Sequence, residues 1–183
     1  MSSRKYARTA CAAALAALSF GVQAQISGGS VKIGVLTDLS GTYSDLAGSG
    51  AVLATRMAID DFIANEKPSF KIEVVTADHQ NKADIASNKA REWIERENVD
   101  TVTELVTTST ALAVVKVAKE KDRVVIMNGP ASTPITNEQC NDVSVHYTYD
   151  TYALANGTAK AVTQQGGKTW FFLTADYAFG QAL

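Results

Sequence analysis

Val31-Lys-Ile-Gly-Val-Leu36 passes directly into Thr37-Asp-Leu-Ser-Gly-Thr-Tyr-Ser-Asp45, and this junction decides the fold class. The first run is apolar and rich in β-branched residues, which is typical of a buried strand. The second run consists of small and polar residues, which favour a loop. Similar junctions recur before helical segments along the chain. The sequence therefore predicts strands that alternate with helices around a parallel sheet.

Six strands and four helices follow from the spacing of apolar residues. The strands are predicted at 31–36, 71–77, 102–106, 124–127, 144–148 and 169–173. The helices are predicted at 52–65, around 111–118 and at 152–165, where Gly166-Gly167 ends the last of them. A further helix is predicted to begin at a capping pair formed by Asn81 and Asp84. Their inward faces are Val52, Ile59, Phe62 and Ile63; Ala86, Ala90, Trp93 and Ile94; and Ala111, Val114, Val115 and Ala118. We expect a doubly wound α/β fold with right-handed crossovers.

The last residues, Ala175-Asp-Tyr-Ala-Phe-Gly180 and Gln181-Ala-Leu183, have the pattern of a helix in its first turn. A helix this short cannot bury an apolar face. We therefore expect the sequence to be the N-terminal fragment of a longer protein.

Residues 1–24 have the pattern of a secretory signal peptide. Arg4, Lys5 and Arg8 precede an apolar stretch from Thr9 to Val22, and Val22-Gln-Ala24 offers small residues for cleavage after Ala24. The stretch is shorter than the roughly 20 apolar residues that span a bilayer. The alternative is an N-terminal membrane anchor. Cleavage would place the protein outside the cytoplasm.

The composition after residue 24 excludes several classes of function. It contains 14 basic and 19 acidic residues, so nucleic acids and anionic membranes are disfavoured as partners. Cys140 is the only cysteine left, and one thiol forms no internal disulfide. His79 and His146 have no Cys or His at metal-ligand spacing. We expect no metal and no cofactor.

Polar residues follow several strands, and in an open parallel sheet ligands bind at the carboxyl ends of the strands. Thr107-Thr-Ser-Thr110 should lie at a helix N-terminus, where hydroxyl and unpartnered N–H groups suit a carboxylate. The alternative is ordinary N-capping. Ser132 and the peptide groups of Pro130 and Ala131 offer donors and acceptors in the next loop, where the alternative is a plain turn.

The same loops carry no nucleophile for catalysis. Asp38, Asp45 and Asp78 have no partner at a spacing that suggests acid–base chemistry, and we expect them to be solvated or to cap backbone groups. There is no Gly-x-Ser-x-Gly elbow and no Walker loop. The residues therefore indicate a site that binds a small molecule, not an enzyme.

Four motifs in this order resemble the branched-chain amino-acid type of periplasmic substrate-binding protein, which serves ABC importers. They are Val31–Gly41, Thr107-Thr-Ser-Thr-Ala-Leu-Ala113, the turn from Pro130 to Pro134, and Ala175–Gly180. The resemblance implies a type I periplasmic binding protein fold, in which two lobes close on a ligand. It implies that 25–148 is the ligand-binding lobe one, and that 149–183 is the hinge crossing with the truncated start of lobe two.

The resemblance also implies roles for individual residues. Thr107 would bind a ligand carboxylate, Pro130 and Ser132 a carboxylate and an amine, and Phe179 would close over the ligand from lobe two. Asp150 would lie near the first crossing between lobes. The full set expected to bind the ligand is Ser40, Asp45, Thr107, Thr108, Ser109, Pro130, Ala131, Ser132, Tyr149, Asp150, Tyr177 and Phe179.

The resemblance implies a small polar or carboxylate-bearing ligand, and aromatic residues lie near these positions, namely Tyr43, Tyr147, Tyr149, Tyr152, Tyr177 and Phe179. Aromatic walls favour a planar ligand, while the alternative is packing in the core or hinge. We expect an amino acid, an aromatic acid or an amide, bound in the periplasm and passed to the permease subunits of an ABC importer, with no direct membrane anchor. The competing classes are an extracellular ligand-sensing domain of a receptor and a secreted enzyme.

Overall fold

A computed structural model describes Ile26 and residues 29–183, so the predicted signal peptide lies outside the described residues. Five parallel strands form one sheet in the order β2-β1-β3-β4-β5. The strands are β1 (Ser30–Thr37), β2 (Lys71–Asp78), β3 (Thr101–Glu104), β4 (Val124–Met127) and β5 (Ser144–His146). The helices are α1 (Gly48–Glu66), α2 (Ala83–Arg96), α3 (Thr108–Lys121), α4 (Thr151–Gln164) and α5 (Ala178–Ala182). The predicted α/β fold class with a parallel sheet is confirmed.

The core lies between the sheet and the helices α2 and α3. The inward stripe predicted for α2 is buried over its whole length, and so is the stripe predicted for α3. Both pack against Leu36, Val102, Val125 and Met127 from three strands. Alanine at two positions of each stripe keeps the helices close to the sheet, since its side chain adds little thickness. Burial of these side chains is the main favourable term in folding.

The opposite face of the sheet is only partly covered. Because parallel crossovers are right-handed, α1 lies on the face opposite α2 and α3. It contacts β1 and β2, and the same face of β4 and β5 stays open, with Val124, Ile126 and Val145 each about 40% exposed. The predicted burial of Phe62 and Ile63 on α1 is therefore wrong, because both side chains are more than 40% exposed.

Two further predictions of local structure are wrong. Asn81 and Asp84 form no capping pair, because α2 begins at Ala83 with Lys82 as its N-cap residue and no side-chain cap. The predicted sixth strand at 169–173 is absent from the described residues. Phe171 and Leu173 are more than 90% exposed there, and no neighbouring strand offers the hydrogen bonds that a strand requires.

Two ends of elements follow directly from backbone geometry. α4 ends before Gly166, whose φ of +95° is readily adopted by glycine, and its N–H donates to the Thr163 carbonyl (3.0 Å). β3 ends at Glu104, two residues earlier than predicted, because Glu104 and Leu105 have φ values of +85° and +57°. The chain leaves the sheet at that point.

Candidate functional site

The loops after β1, β2, β3 and β4 meet at one edge of the sheet. All four strand pairings are parallel, so the carboxyl ends of the strands lie side by side. In open α/β sheets this edge binds ligands. It holds the predicted residues Ser40, Asp45, Thr107, Thr108, Ser109, Pro130, Ala131 and Ser132.

Asp38 shapes the loop after β1. Its side chain is fully buried, and its carboxylate accepts hydrogen bonds from the backbone N–H groups of Gly41 (2.7 Å) and Tyr43 (2.9 Å). A carboxylate that binds two backbone amides organises the loop and is not available to a ligand. The prediction that this aspartate caps backbone groups is confirmed.

Asp78, at the end of β2, fixes the same loop from the neighbouring strand. It accepts hydrogen bonds from Ser40 Oγ (2.5 Å) and from the N–H groups of Leu39 (2.9 Å) and Gln80 (2.8 Å). Burial acts to raise the pKa of Asp78, but these hydrogen bonds outweigh it and hold the pKa below its usual value. The Ser40 hydroxyl proton is therefore committed to Asp78, which leaves Ser40 as an acceptor only.

His79 follows Asp78 and is fully buried. Its Nδ1 accepts a hydrogen bond from the Asn81 N–H (3.0 Å), and its Nε2 has no partner. Burial lowers the pKa of His79, although the nearby Asp38 and Asp78 carboxylates oppose this shift. The ring is therefore neutral at pH 7, with its one proton on Nε2.

The threonines at the start of α3 have distinct hydrogen-bonding roles. Thr107 is the N-cap residue, but its hydroxyl contacts Thr110 Oγ1 (3.0 Å) and caps no backbone amide. Because the Thr110 hydroxyl donates to the Thr107 carbonyl (2.8 Å), Thr107 is the donor of the pair. Thr108 Oγ1 is buried without a partner, and Ser109 is half-buried. Thr108 thus holds the uncommitted buried hydroxyl at this helix N-terminus, and capping does not explain this run.

The loop after β4 offers one uncommitted group. The Pro130 carbonyl accepts a hydrogen bond from His146 Nε2 (2.7 Å), so it is already occupied. Ala131 is buried. Ser132 is fully buried, and its Oγ has no partner. Ser132 and Thr108 are therefore the two predicted hydroxyls that remain open to a ligand.

Glu104 is a residue of this edge that the sequence reasoning missed. Its side chain is 4% exposed, and Oε2 has no hydrogen-bond partner. Burial raises its pKa to about 7, although the nearby Thr37 hydroxyl and Val106 N–H oppose this shift. The sequence feature that could have identified Glu104 is that it is the single acidic residue within the otherwise uncharged run 101–110.

A groove of about 580 Å³ runs along this part of the edge. Its walls come from the loop after β1, the first two turns of α1, the end of β3, the loop after β4 and the segment between β5 and α4. They include Asp45, Glu104, Val106, Asn128, Gly129 and Tyr149. Asp45 and Tyr149 were predicted to face the ligand, and the structure places them with Glu104, while Thr108 and Ser132 lie outside this groove lining.

The remaining predicted residues belong to 149–183. Asp150 is the N-cap of α4, where its Oδ1 accepts a hydrogen bond from the Ala153 N–H (2.9 Å). The Tyr177 hydroxyl lies 3.0 Å from the Tyr43 hydroxyl, and the two rings meet edge to face. Phe179 stacks beside Tyr177, with centroids 6.1 Å apart. The structure thus brings Tyr177 and Phe179 to the loop after β1, while Asp150 has a capping role.

The other tyrosines of this region are exposed. Tyr147, Tyr149 and Tyr152 have between 62% and 79% of their surface open to solvent. These three rings are therefore not packed in the core of the described residues, while packing in the hinge, the other part of the alternative, stays a prediction.

Two kinds of feature are absent from the described residues, a metal-binding cluster and a membrane-spanning helix. No three His, Cys, Asp or Glu side chains in 29–183 are placed to hold a metal ion. Within the same part of the chain, every helix is too short or too polar to cross a bilayer.

Solved structures with the same fold include close relatives. A periplasmic binding protein from Burkholderia mallei is 53% identical, with a TM-score of 0.78, and the match covers 85% of this chain and 41% of that one. A branched-chain amino acid ABC transporter periplasmic ligand-binding protein from Burkholderia xenovorans is 35% identical, with a TM-score of 0.70, covering 82% and 40%.

A third solved relative carries a ligand. The solute-binding protein of an ABC transporter from R. palustris, in complex with 4-hydroxybenzoate, is 25% identical, with a TM-score of 0.70, covering 83% of this chain and 40% of that one. No curated protein matches the chain significantly.

The chain therefore spans about two fifths of the length of these solved relatives. A family model described as periplasmic binding protein matches residues 30–183, which is most of the sequence. The chain belongs to the periplasmic binding protein family.

Proposed function

We propose that the whole protein is an extracytoplasmic solute-binding protein that captures a small polar or carboxylate-bearing ligand and delivers it to the permease subunits of an ABC importer. In this proposal residues 1–24 are a signal peptide cleaved after Ala24, and the mature protein is periplasmic. Residues 25–148 form lobe one, and 149–183 form the hinge crossing and the start of lobe two. The protein binds its ligand without altering it.

The observation that carries the proposal is a set of buried hydroxyls without partners at the carboxyl edge of the sheet, two of which belong to residues predicted to bind the ligand. Thr108 Oγ1 and Ser132 Oγ each lack a hydrogen bond in the described structure. An unsatisfied buried polar group costs about 1–3 kcal/mol. A ligand carboxylate that accepts from both hydroxyls removes that cost, and the N-terminus of α3 adds favourable electrostatics.

The choice of ligand class rests on two supports. A relative from R. palustris was solved with 4-hydroxybenzoate, and another from B. xenovorans is described as a branched-chain amino acid transporter protein. Both ligand classes carry a carboxylate. The aromatic group of Tyr43, Tyr177 and Phe179 beside the edge suits a planar ring.

The test uses the full-length protein in a thermal-shift screen of amino acids, aromatic acids and amides, followed by calorimetry on each hit. We expect at least one carboxylate to bind, and Ser132→Ala to weaken its binding at least tenfold, or about 1.4 kcal/mol.

The matched control is Ser144→Ala, a half-buried hydroxyl at the amino end of β5. We expect it to leave the affinity unchanged. A screen in which no member binds, or equal affinity in the wild type and in Ser132→Ala, would contradict the proposal.

A further inference from the structure

Glu104 has a backbone conformation that its side chain makes unfavourable. Its φ is +85°, and Leu105 follows with a φ of +57°, so two consecutive non-glycine residues have left-handed backbone geometry. Such residues cost about 1–3 kcal/mol each and persist where the surrounding structure enforces them. They are concentrated at ligand clamps and active sites, which makes Glu104 a candidate for function.

The carboxyl of Glu104 is a second unfavourable feature at the same residue. Glu104 as a whole residue is 4% exposed, and its Oε2 is buried and makes no hydrogen bond with any described group. A buried polar atom without a partner is rare in folded proteins and calls for an explanation such as an absent ligand. The strain and the missing partner are independent observations, and both disfavour a purely structural role.

The surroundings of Glu104 leave room for its carboxyl. A Cβ atom added at Gly129 would lie 2.8 Å from Glu104 Oε1 and 2.6 Å from the Val106 Cα. Only glycine fits there without displacing the backbone of the neighbouring strand end. The loop after β4 is therefore shaped to accept this glutamate at the wall of the groove.

The charged residues of the groove indicate which ligand group it would bind. Asp45 and Glu104 are the two acidic residues of its lining, and no Lys, Arg or His is among the lining residues, all of which lie in the described chain. The other polar groups include the amide of Asn128 and the hydroxyl of Tyr149. A groove with this lining disfavours an anion and favours a group that donates hydrogen bonds, above all a cationic one.

We propose that Glu104 is a specificity-determining residue that accepts a hydrogen bond from an amine or amide N–H of the ligand, at a point separate from the ligand carboxylate. This inference rests on the proposed function, because it assigns the second polar group of the same ligand. Thr108 and Ser132 bind the carboxylate, and Glu104 selects ligands that also carry an N–H donor.

The test uses three pairs of probes that differ in the donor. They are L-leucine with 4-methylpentanoate, L-phenylalanine with 3-phenylpropanoate, and 4-aminobenzoate with 4-methylbenzoate. Dissociation constants are measured by calorimetry on the full-length wild type and on Glu104→Gly, Glu104→Gln and the control Glu66→Gln, an exposed carboxylate at the end of α1.

We expect the donor-bearing member of at least one pair to bind the wild type at least tenfold more tightly than its partner. In Glu104→Gly the ratio of the two dissociation constants within that pair should fall below threefold. The melting temperature should be unchanged or higher, because glycine relieves the strained φ and removes the buried carboxyl. Glu104→Gln should narrow the ratio in the same direction even if the glycine variant fails to fold. Glu66→Gln should keep the wild-type ratio.

Two results overturn the role of Glu104 and leave the proposed function standing. In the first, the wild type binds both members of every probe pair with equal affinity. In the second, the ratio of the two dissociation constants within a pair is unchanged in both Glu104→Gly and Glu104→Gln. Failure of all six probes to bind the wild type overturns the role of Glu104, whereas the proposed function is contradicted only if the wider screen of amino acids, aromatic acids and amides also finds no ligand.

Discussion

Thr108 and Thr110 lie two residues apart on α3 and are both buried, yet their hydroxyls differ. The Thr110 hydroxyl donates to the Thr107 carbonyl, while Thr108 Oγ1 has no partner. The same substitution at the two positions therefore separates binding from stability. We expect Thr108→Val to weaken binding of the identified carboxylate at least tenfold, about 1.4 kcal/mol, with little change in melting temperature.

Thr110→Val is the matched control for this prediction. It removes two hydrogen bonds, one donated to the Thr107 carbonyl and one accepted from the Thr107 hydroxyl, so it should lower the free energy of unfolding by about 2 kcal/mol and leave the affinity largely intact. Calorimetry and thermal melts on the full-length protein measure both quantities. The opposite pattern, with stability lost at position 108 and affinity lost at position 110, would overturn the assignment.

Glu104 makes stability depend on pH. Its folded pKa, about 7, lies above its usual value of 4.5, so below pH 4.5 the carboxyl is protonated in both the folded and the unfolded state. As the pH rises from 4.5 to 7, the unfolded chain releases this proton before the folded chain does, and the folded state loses stability. The loss is on the order of 3 kcal/mol and is complete above pH 7.

Denaturant unfolding of the wild type and of Glu104→Gln at pH 5 and pH 7.5 measures this effect. We expect the stability of the wild type relative to the variant to fall as the pH rises. Parallel pH profiles for the two proteins would contradict the placement of a buried, unpaired carboxyl at this position.

At the scale of elements, β1 and α2 contact each other through Gly34 and Trp93. A Cβ atom at Gly34 would lie 2.6 Å from two ring atoms of Trp93. Gly34→Ala should therefore force the ring or the strand to move and destabilise the protein by about 1–3 kcal/mol. Gly157→Ala is the control, because nothing lies within 4 Å of its added methyl group and alanine favours α4. Equal melting temperatures for the two variants would show that the contact is loose.

The elements also show what the sequence could reveal. The inward stripes of α2 and α3 were predictable because apolar residues recur there at helical spacing, and the sheet covers both stripes in the structure. The predicted strand at 169–173 has a strong β pattern, but a strand exists only beside another strand, and the pattern contains no information about its neighbour. The prediction for Phe62 on α1 failed for the same reason, since the spacing of apolar residues identifies an apolar face but not the element that covers it.

The site was predictable to a lesser degree. Parallel topology alone brings Thr107 and Ser132 to one edge, so the edge followed from the fold class. Which hydroxyl remains uncommitted depends on side-chain contacts, and these assign it to Thr108 and not to Thr107. Glu104 was missed because its importance lies in its backbone conformation and burial, and the sequence alone reveals neither of them.

At the scale of the whole molecule, the open sheet face determines how 25–183 behaves alone. Val124, Ile126 and Val145 lie on that face, and Leu53 and Met57 of α1 are each 58% exposed. Exposed apolar surface of this kind promotes association. We expect the isolated segment to bind a hydrophobic dye such as ANS, to self-associate at micromolar concentration, and to bind ligand weakly or not at all.

Light scattering, dye fluorescence and calorimetry on the segment and on the full-length protein make the comparison. The full-length protein should bind less dye per molecule and remain monodisperse at the same concentration. A monodisperse segment with micromolar ligand affinity would show that this face needs no cover and that lobe one is sufficient for binding.

The phenol pair of Tyr43 and Tyr177 joins positions that are 134 residues apart in sequence. In a protein with two lobes, movement of one lobe away from the other must first separate these two hydroxyl oxygens. On the proposed division into lobe one and the start of lobe two, this contact favours the closed form. Tyr43→Phe or Tyr177→Phe should therefore shift the equilibrium toward the open form and leave the ligand contacts of the loops after β3 and β4 intact.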